Sequence, residues 1–258
     1  MRAVALAAIV TVLGLAAACG GGKSAASKAP PSNATAQGSQ ASVATAQNGS
    51  SSSVDVSSSP APGAPSFEVL SSTDNLATND SYEIYGEVRN NTSTAAGEIT
   101  IHVTLFDSNK KPVAQSTTET TGMRNMTPAG ERTPFYFVFG DGKKLKAKVG
   151  SYDLTAEGEP TDQQPVQGLV VSGEKVTTTT KGGYSLAGKL TNTTGSTINS
   201  PELVATFYDS AGKVVRAGQA VFQENAFSPH QGDDFEFPYS DLGKATIASY
   251  VLVPQTGE

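Results

Sequence analysis

Apolar and polar residues alternate with a period of two through the second three-quarters of the chain. Tyr82, Ile84, Gly86 and Val88 fall on one face of an extended segment, and Ile99, Ile101, Val103 and Leu105 share a face of the next. Such alternation predicts half-buried strands, each with one side on a core. Turn residues punctuate the pattern. Asn90 and Asn192 stand where an apolar run stops, and their short amides suit a bond to the following backbone that starts a turn. Asp209-Ser210-Ala211-Gly212 has Asp first and Gly fourth, the preference of a type I turn between hairpin strands. Asp107-Ser108-Asn109-Lys110 takes its place earlier, with Asn109 expected to supply any positive φ.

A shift of 102 residues lays this region on itself. Tyr82, Ile84, Gly86, Val88, Asn90 and Thr92 fall on Tyr184, Leu186, Gly188, Leu190, Asn192 and Thr194. Leu105, Phe106, Asp107, Ser108, Lys111 and Val113 fall on Phe207, Tyr208, Asp209, Ser210, Lys213 and Val215. Two copies of one module explain the match economically. Later in each copy come a Pro/Gly turn and an aromatic strand, with Pro128, Gly130, Phe135 and Phe137 set against Pro229, Gly232, Phe237 and Tyr239. A closing strand follows, Tyr152 against Tyr250. About six short strands per copy predict an all-β protein of two tandem antiparallel β-sandwiches, residues 67–158 and 169–258, joined by a polar, proline-bearing segment at 159–168. Gly86 and Gly188 sit mid-strand on the inward face. They are expected to mark a bulge or the approach of a large side chain from the opposite sheet.

The first 66 residues have a different character. Met1-Arg2 is followed by an uncharged run from Ala3 to Ala18, then Cys19 and Gly20-Gly21-Gly22. The 16-residue run is short for a membrane span and has no basic stop beyond it. An unanchored secreted protein has no use for a cysteine at this point, and Cys19 is the only one in the chain. Ala16-Ala17-Ala18-Cys19 resembles the cleavage site of a bacterial lipoprotein, with Ala16 where Leu is usual and Leu15 one place earlier. The resemblance implies a signal peptide at 1–18, diacylglycerol and acyl chains on Cys19, and an extracytoplasmic, membrane-anchored protein, since two or more chains are needed for stable anchoring. Residues 19–66 are almost all Gly, Ala, Ser, Thr, Pro, Gln and Asn, a composition that predicts a disordered linker with a reach of about 40 Å.

Composition narrows the partners. Of 18 basic and 24 acidic residues, 15 and 23 lie in 67–258, so that stretch carries a charge of −8. That balance argues against nucleic acid, whose phosphates require a basic surface. Lys143, Lys144, Lys146 and Lys148 form one local exception, expected as a solvated loop and strand edge. With Cys19 acylated no disulfide is possible, so apolar burial must hold the fold. His102 and His230 lack metal-ligand spacing to any other His or Cys. Asp233 and Asp234 are adjacent, and so point to opposite faces of a strand. No Asp-x-Asp-x-Asp calcium loop, nucleophile elbow or phosphate loop occurs. No metal, no cofactor beyond the lipid and no catalytic residues are expected.

The stretches Val103-Thr104-Leu105-Phe106-Asp107 and Ala205-Thr206-Phe207-Tyr208-Asp209, each preceded by Gly-x-Val-x-Asn or its equivalent and followed by a Lys-x-Val strand, resemble the FxLYD domain. That is an immunoglobulin-like or transthyretin-like sandwich of bacterial and archaeal surface lipoproteins. Both stretches depart from its pattern at the first position, and Phe106 replaces Tyr. The markers are Gly86, Asn90, Phe106 and Asp107 in one copy and Gly188, Asn192, Tyr208 and Asp209 in the other. The resemblance implies a surface setting and brings no catalytic residues. The expected function is therefore a non-catalytic module presented to an envelope protein or cell-wall polymer, with solute or glycan binding as the alternative.

Overall fold

The computed structural model describes residues 64–179, 183–239 and 246–257. The leader, Cys19 and the linker through residue 63 lie outside them. Alternation becomes strand wherever it was read. In chain order the first half contains β1 (Phe67–Leu76), β2 (Tyr82–Asn90), β3 (Ala96–Phe106), β4 (Pro112–Thr121), β5 (Arg132–Phe139), a five-residue helix α1 (Gly142–Lys146) and β6 (Ser151–Pro160). The second half contains β7 (Leu169–Thr178), β8 (Tyr184–Asn192), the two-residue β9 (Ile198–Asn199), β10 (Pro201–Tyr208), β11 (Val214–Val221), the two-residue β12 (Ala226–Phe227), β13 (Gly232–Tyr239) and β14 (Ser249–Thr256). Every pairing is antiparallel.

The first half stacks sheet β1-β2-β5 on sheet β4-β3-β6. The second stacks β7-β8-β13 on β11-β10-β14, with β9 and β12 paired beside them. Each half is an antiparallel sandwich with its own core. In the first, Tyr82, Ile84, Val88 and Phe135 meet Ile99, Ile101, Val103 and Leu105. In the second, Leu186, Leu190 and Phe235 meet Leu203, Phe207 and Leu252. Complete burial of each large aliphatic side chain contributes roughly 1.5–3 kcal/mol, which is how the fold stands without a disulfide.

Several details differ from the expectation. Strand β6 runs through Pro160, two residues into the segment read as a joint, because Pro160 still pairs with Ala96. The lysine-rich stretch is not a loop and strand edge. Its first part is helix α1, with the backbone N–H of Lys143 donating to Asp80 (2.8 Å), and Lys146 pairing with Asp74 while lying over the Tyr82 ring. In the first hairpin turn Lys110, not Asn109, adopts φ of +61°, the place taken by Gly212 (+76°) in the second copy. Asn109 is occupied otherwise, its N–H donating to the Asp107 carboxylate (2.8 Å).

The aromatic strands also align differently. Gly86 pairs with Phe135 and Gly188 with Phe235, so Phe135 and Phe137 match Phe235 and Phe237, not Phe237 and Tyr239. The second copy is two residues shorter between its first hairpin turn and this strand. His230, with φ of +64°, consequently occupies the place of Gly130, with φ of +78°. The Gly86–Phe135 pair corrects a further point. The ring lying on the glycine comes from the neighbouring strand of the same sheet and not from the opposite one. A Cβ at Gly86 would sit 2.4 Å from Phe135 Cζ and 2.7 Å from the Ser71 carbonyl oxygen, and one at Gly188 would sit 2.7 Å from Phe235 Cζ. The bulges lie on the flanking strands, at Val69/Ser71 in β1 and Ser172/Lys175 in β7.

Gly86→Ala is therefore expected to destabilise the protein by about 1–3 kcal/mol through overpacking. Gly140→Ala, where the added methyl meets nothing within 4 Å, serves as the control. Chemical denaturation of the two variants measures the difference, and equal midpoints would contradict the packing described.

Candidate interaction site

The repeat markers are structural groups serving the same task in both halves. Asn90 is fully buried at the end of β2. Its Nδ2 donates to the carbonyls of Thr94 and Thr127 (both 2.9 Å), and its Oδ1 accepts from the N–H (3.0 Å) and hydroxyl (2.7 Å) of Thr92. Asn192 repeats this with Ser196, Phe227 and Thr194. The Asp107 carboxylate accepts from the N–H groups of Asn109 and Lys111, and Asp209 does so from Ala211 and Lys213. Gly86 and Gly188 lie under their phenylalanines. Phe106 is half-buried at the end of β3. Cys19 is outside the described residues.

Tyr208 differs from its counterpart. Its hydroxyl donates to Oε2 of Glu87 in the first half (2.9 Å), joining the halves across 121 positions of sequence. Glu87 is 2 % exposed, and its other oxygen accepts from Arg132 Nη1 (2.9 Å). Withdrawal from water raises the Glu87 carboxyl above its ordinary value of 4.5, against the opposing pull of Arg132, Arg89 and the Tyr208 hydroxyl. Burial, reinforced by Glu87, pushes the Tyr208 hydroxyl up as well.

Around this contact lies a small apolar cluster of Tyr85, Tyr208, Val214 and Ala217, with Met123 and Val251 against it. The guanidinium of Arg216 stands 5.0 Å from the Tyr85 ring, a cation–π geometry, and donates to the Val215 carbonyl. A polar seam continues at one side. The Asn125 N–H donates to Gln255 Oε1 (3.1 Å), and Gln255 Nε2 donates to the Met123 carbonyl and to Glu202 (both 3.0 Å). Strand β2 is thus buried on both faces, although alternation predicts that Tyr85 and Glu87 face solvent.

The second half covers β2 and reaches β5 only in part, through β11. Between β4 and β5 on one side and β11 and β13 on the other runs a groove of about 1020 Å³. Tyr136 and Val138, 43 % and 56 % exposed, stand in it on the outer face of β5. Tyr136 stacks on Tyr85 with ring centres 6.1 Å apart, which connects the groove wall to the interface. Glu119 and Glu236 are the charged side chains that line it among the described residues, and Asn125 and Gln219 are its polar amides.

Of the other candidates, His102 adjoins the groove through Glu119. His102 lies between Glu119 (3.6 Å) and Glu157 (3.2 Å) on the outer face of β4-β3-β6, and His230 is in the turn before β13. Asp233 and Asp234 begin β13, with the Asp234 N–H bonded to the Asp233 carboxylate (2.8 Å). Among the described residues no three His, Cys, Asp or Glu side chains converge as a metal site, and no helix is long and apolar enough to cross a membrane.

No family model and no curated protein matches the chain. Among solved structures, red sea bream transglutaminase aligns with 74 % of this chain at 10 % identity and a TM-score of 0.26. The chain spans only 29 % of that protein's length. The tandem CBM22-1–CBM22-2 region of Paenibacillus barcinonensis Xyn10C aligns with 74 % of this chain and 86 % of its own length, at 8 % identity and a TM-score of 0.14. Neither likeness is strong enough for a role to be carried over.

The interface makes a pH prediction. A carboxyl whose pKa is higher in the folded state than in the unfolded one keeps its proton longer when folded, so its contribution is largest at acid pH and is lost as pH rises through the folded value. The window opens near 4.5 and extends upward. Between about pH 4 and about pH 7, wild type should gain stability over Glu87→Gln as pH falls, by at most ~1.4 kcal/mol per pH unit. Urea denaturation across this range measures the slope; a slope of opposite sign would contradict the assignment.

Proposed function

We propose that the protein is a non-catalytic interaction module, related in kind to FxLYD-domain lipoproteins. In this reading it is held outside the cytoplasm by acyl chains on Cys19 and presents its paired sandwiches to a partner in the cell envelope. The observation that supports it most is the groove. The halves dock through β2 and β11, and this leaves exposed apolar groups and free sheet edges gathered in one place, as a binding surface requires. Three features of the chain add to this: the placement of Cys19 after an apolar leader, the linker composition, and the acidic balance that disfavours nucleic acid.

The alternative reading is a receptor for a solute or glycan. A groove of about 1020 Å³ falls at the upper end of the range for small-molecule sites, and Tyr136 offers one ring for stacking. Against it stands the absence of Trp from the chain and the burial of most other rings in the two cores.

Fractionation of cells producing wild type and Cys19→Ser tests the anchor. Wild type is expected in the membrane fraction with an acylated Cys19 as its first residue, and the variant is expected to be released. An unmodified thiol by mass spectrometry, or identical partition of the two, would overturn the anchored reading. Crosslinking in living cells then separates the two functions, since a retained protein partner supports the module and a small-molecule thermal shift alone supports the receptor.

A further inference from the structure

We propose that the groove receives an extended, basic polypeptide segment that adds as a strand to the free edge of β5, with Tyr136 and Val138 as its apolar contacts and Glu119 and Glu236 as its charge partners. The proposal rests on reading the protein as a presenting module and names the chemistry of its partner.

Backbone direction identifies the edge. Along a strand, alternate residues point their N–H and C=O groups to the same side. Glu131 faces β2, because its carbonyl accepts from the Asn90 N–H (2.9 Å), whereas the Pro134 carbonyl faces away and accepts from the Met123 N–H (2.8 Å). Tyr136 and Val138 share the parity of Pro134, so their backbone groups point away from β2. Strand β5 has no other partner strand among the described residues. Two donors and two acceptors, one residue pair apart, therefore face the groove at the spacing an added strand matches.

The facing edge is blunted. On β13, Gln231 and the residues in step with it face β8, which leaves Asp234, Glu236 and Pro238 outward. The Asp234 N–H is held by Asp233, and Pro238 has no N–H to give. Proline and a charge at such positions are the usual guards against strand addition. Strand β5 carries its proline at Pro134, where Met123 already occupies the carbonyl, and is unguarded beyond it.

Side chains select the occupant. Tyr136 and Val138 lie on one face beside the open edge, so every second residue of an added strand would meet them. The described charges of the groove are two carboxylates, Glu119 at its β4 wall and Glu236 at its β13 wall, with no lysine or arginine among the lining residues. A segment alternating apolar and basic residues satisfies both. A glycan would match neither the repeat of the backbone edge nor the negative charge, and the most exposed ring of the groove, Tyr136, already has Tyr85 beside it with ring centres 6.1 Å apart.

The test uses the full-length, detergent-solubilised protein and a fluorescent nine-residue Lys-Val repeat peptide, with the matching Glu-Val peptide and a chitin oligosaccharide as competitors. Saturable anisotropy change with the Lys-Val peptide alone is expected, together with hydrogen-exchange protection of the Tyr136 and Val138 amides. Val138→Pro, which gives β5 the guard that β13 already has, should weaken binding at least tenfold. Glu119→Gln/Glu236→Gln should weaken it several-fold at low salt, with the difference vanishing at high salt. Should Val138→Pro lose its near-ultraviolet circular dichroism, the double carboxylate variant and the amide protection decide. Equal affinity for the Glu-Val peptide, unchanged binding by both variants, protection elsewhere only, or displacement by the oligosaccharide would overturn the proposal. Cell-derived crosslinks at a surface away from β5 would overturn it too while leaving the interaction-module reading intact.

Discussion

A carboxylate taken out of water requires compensation, and Glu87 obtains part of it from the other half of the molecule. Arg132 beside it in the same sheet supplies charge and one hydrogen bond, and Tyr208 supplies the other from β10. Loss of either partner leaves a buried charge short of what it needs, a penalty typically of a few kcal/mol, so the contact fixes where the second half sits. Docking there places Arg216 over Tyr85, covers β2 and leaves the edge of β5 without a partner strand among the described residues. The groove follows from the interface.

The two copies solve their internal problems alike and their external ones differently. Both seat a phenylalanine on a mid-strand glycine, both close the β2-type strand with a buried asparagine that bonds four ways or more, and both turn the hairpin on an aspartate carboxylate. These groups serve folding within a half. Interface groups are not shared. The positions of Tyr85 and Glu87 in the first copy hold Ala187 and Lys189 in the second, and Phe106 has no hydroxyl to match that of Tyr208. The halves accordingly meet through unlike surfaces, the face of β2 on one and β11 with the end of β10 on the other.

Alternation with period two was enough to find the strands and the all-β class, because half-buried strands reveal their inward faces in sequence. It was blind to anything that covers the outward face. Glu87 reads as solvent-facing by parity, and only a partner distant in sequence makes it buried. One signal was available: Tyr85 is a large aromatic at an outward position where the second copy has Ala187. Local chemistry was misassigned at the hairpin turn. Lys110 takes the positive φ because it holds the turn position of Gly212, while the backbone N–H of Asn109 bonds Asp107 as that of Ala211 bonds Asp209. The Gly86 ring comes from the next strand because cross-strand neighbours lie closer than the opposite sheet. A gapless match of 102 mispaired the aromatic strands, since the two residues that the second copy lacks fall inside β4, which spends Pro112 to Thr117 on the step that β11 covers from Val214 to Ala217.

The central claim is that Glu87 and Tyr208 meet in a buried hydrogen bond that fixes how the halves dock, beside the cation–π contact and the polar seam. A double-mutant cycle with Glu87→Gln and Tyr208→Phe, read by urea denaturation near neutral pH, tests it most directly. The account predicts a coupling energy of roughly 1 kcal/mol or more between two residues 121 positions apart. Additive effects, with no coupling beyond about 0.3 kcal/mol, would show that the two side chains do not meet and would contradict the docking on which the groove depends.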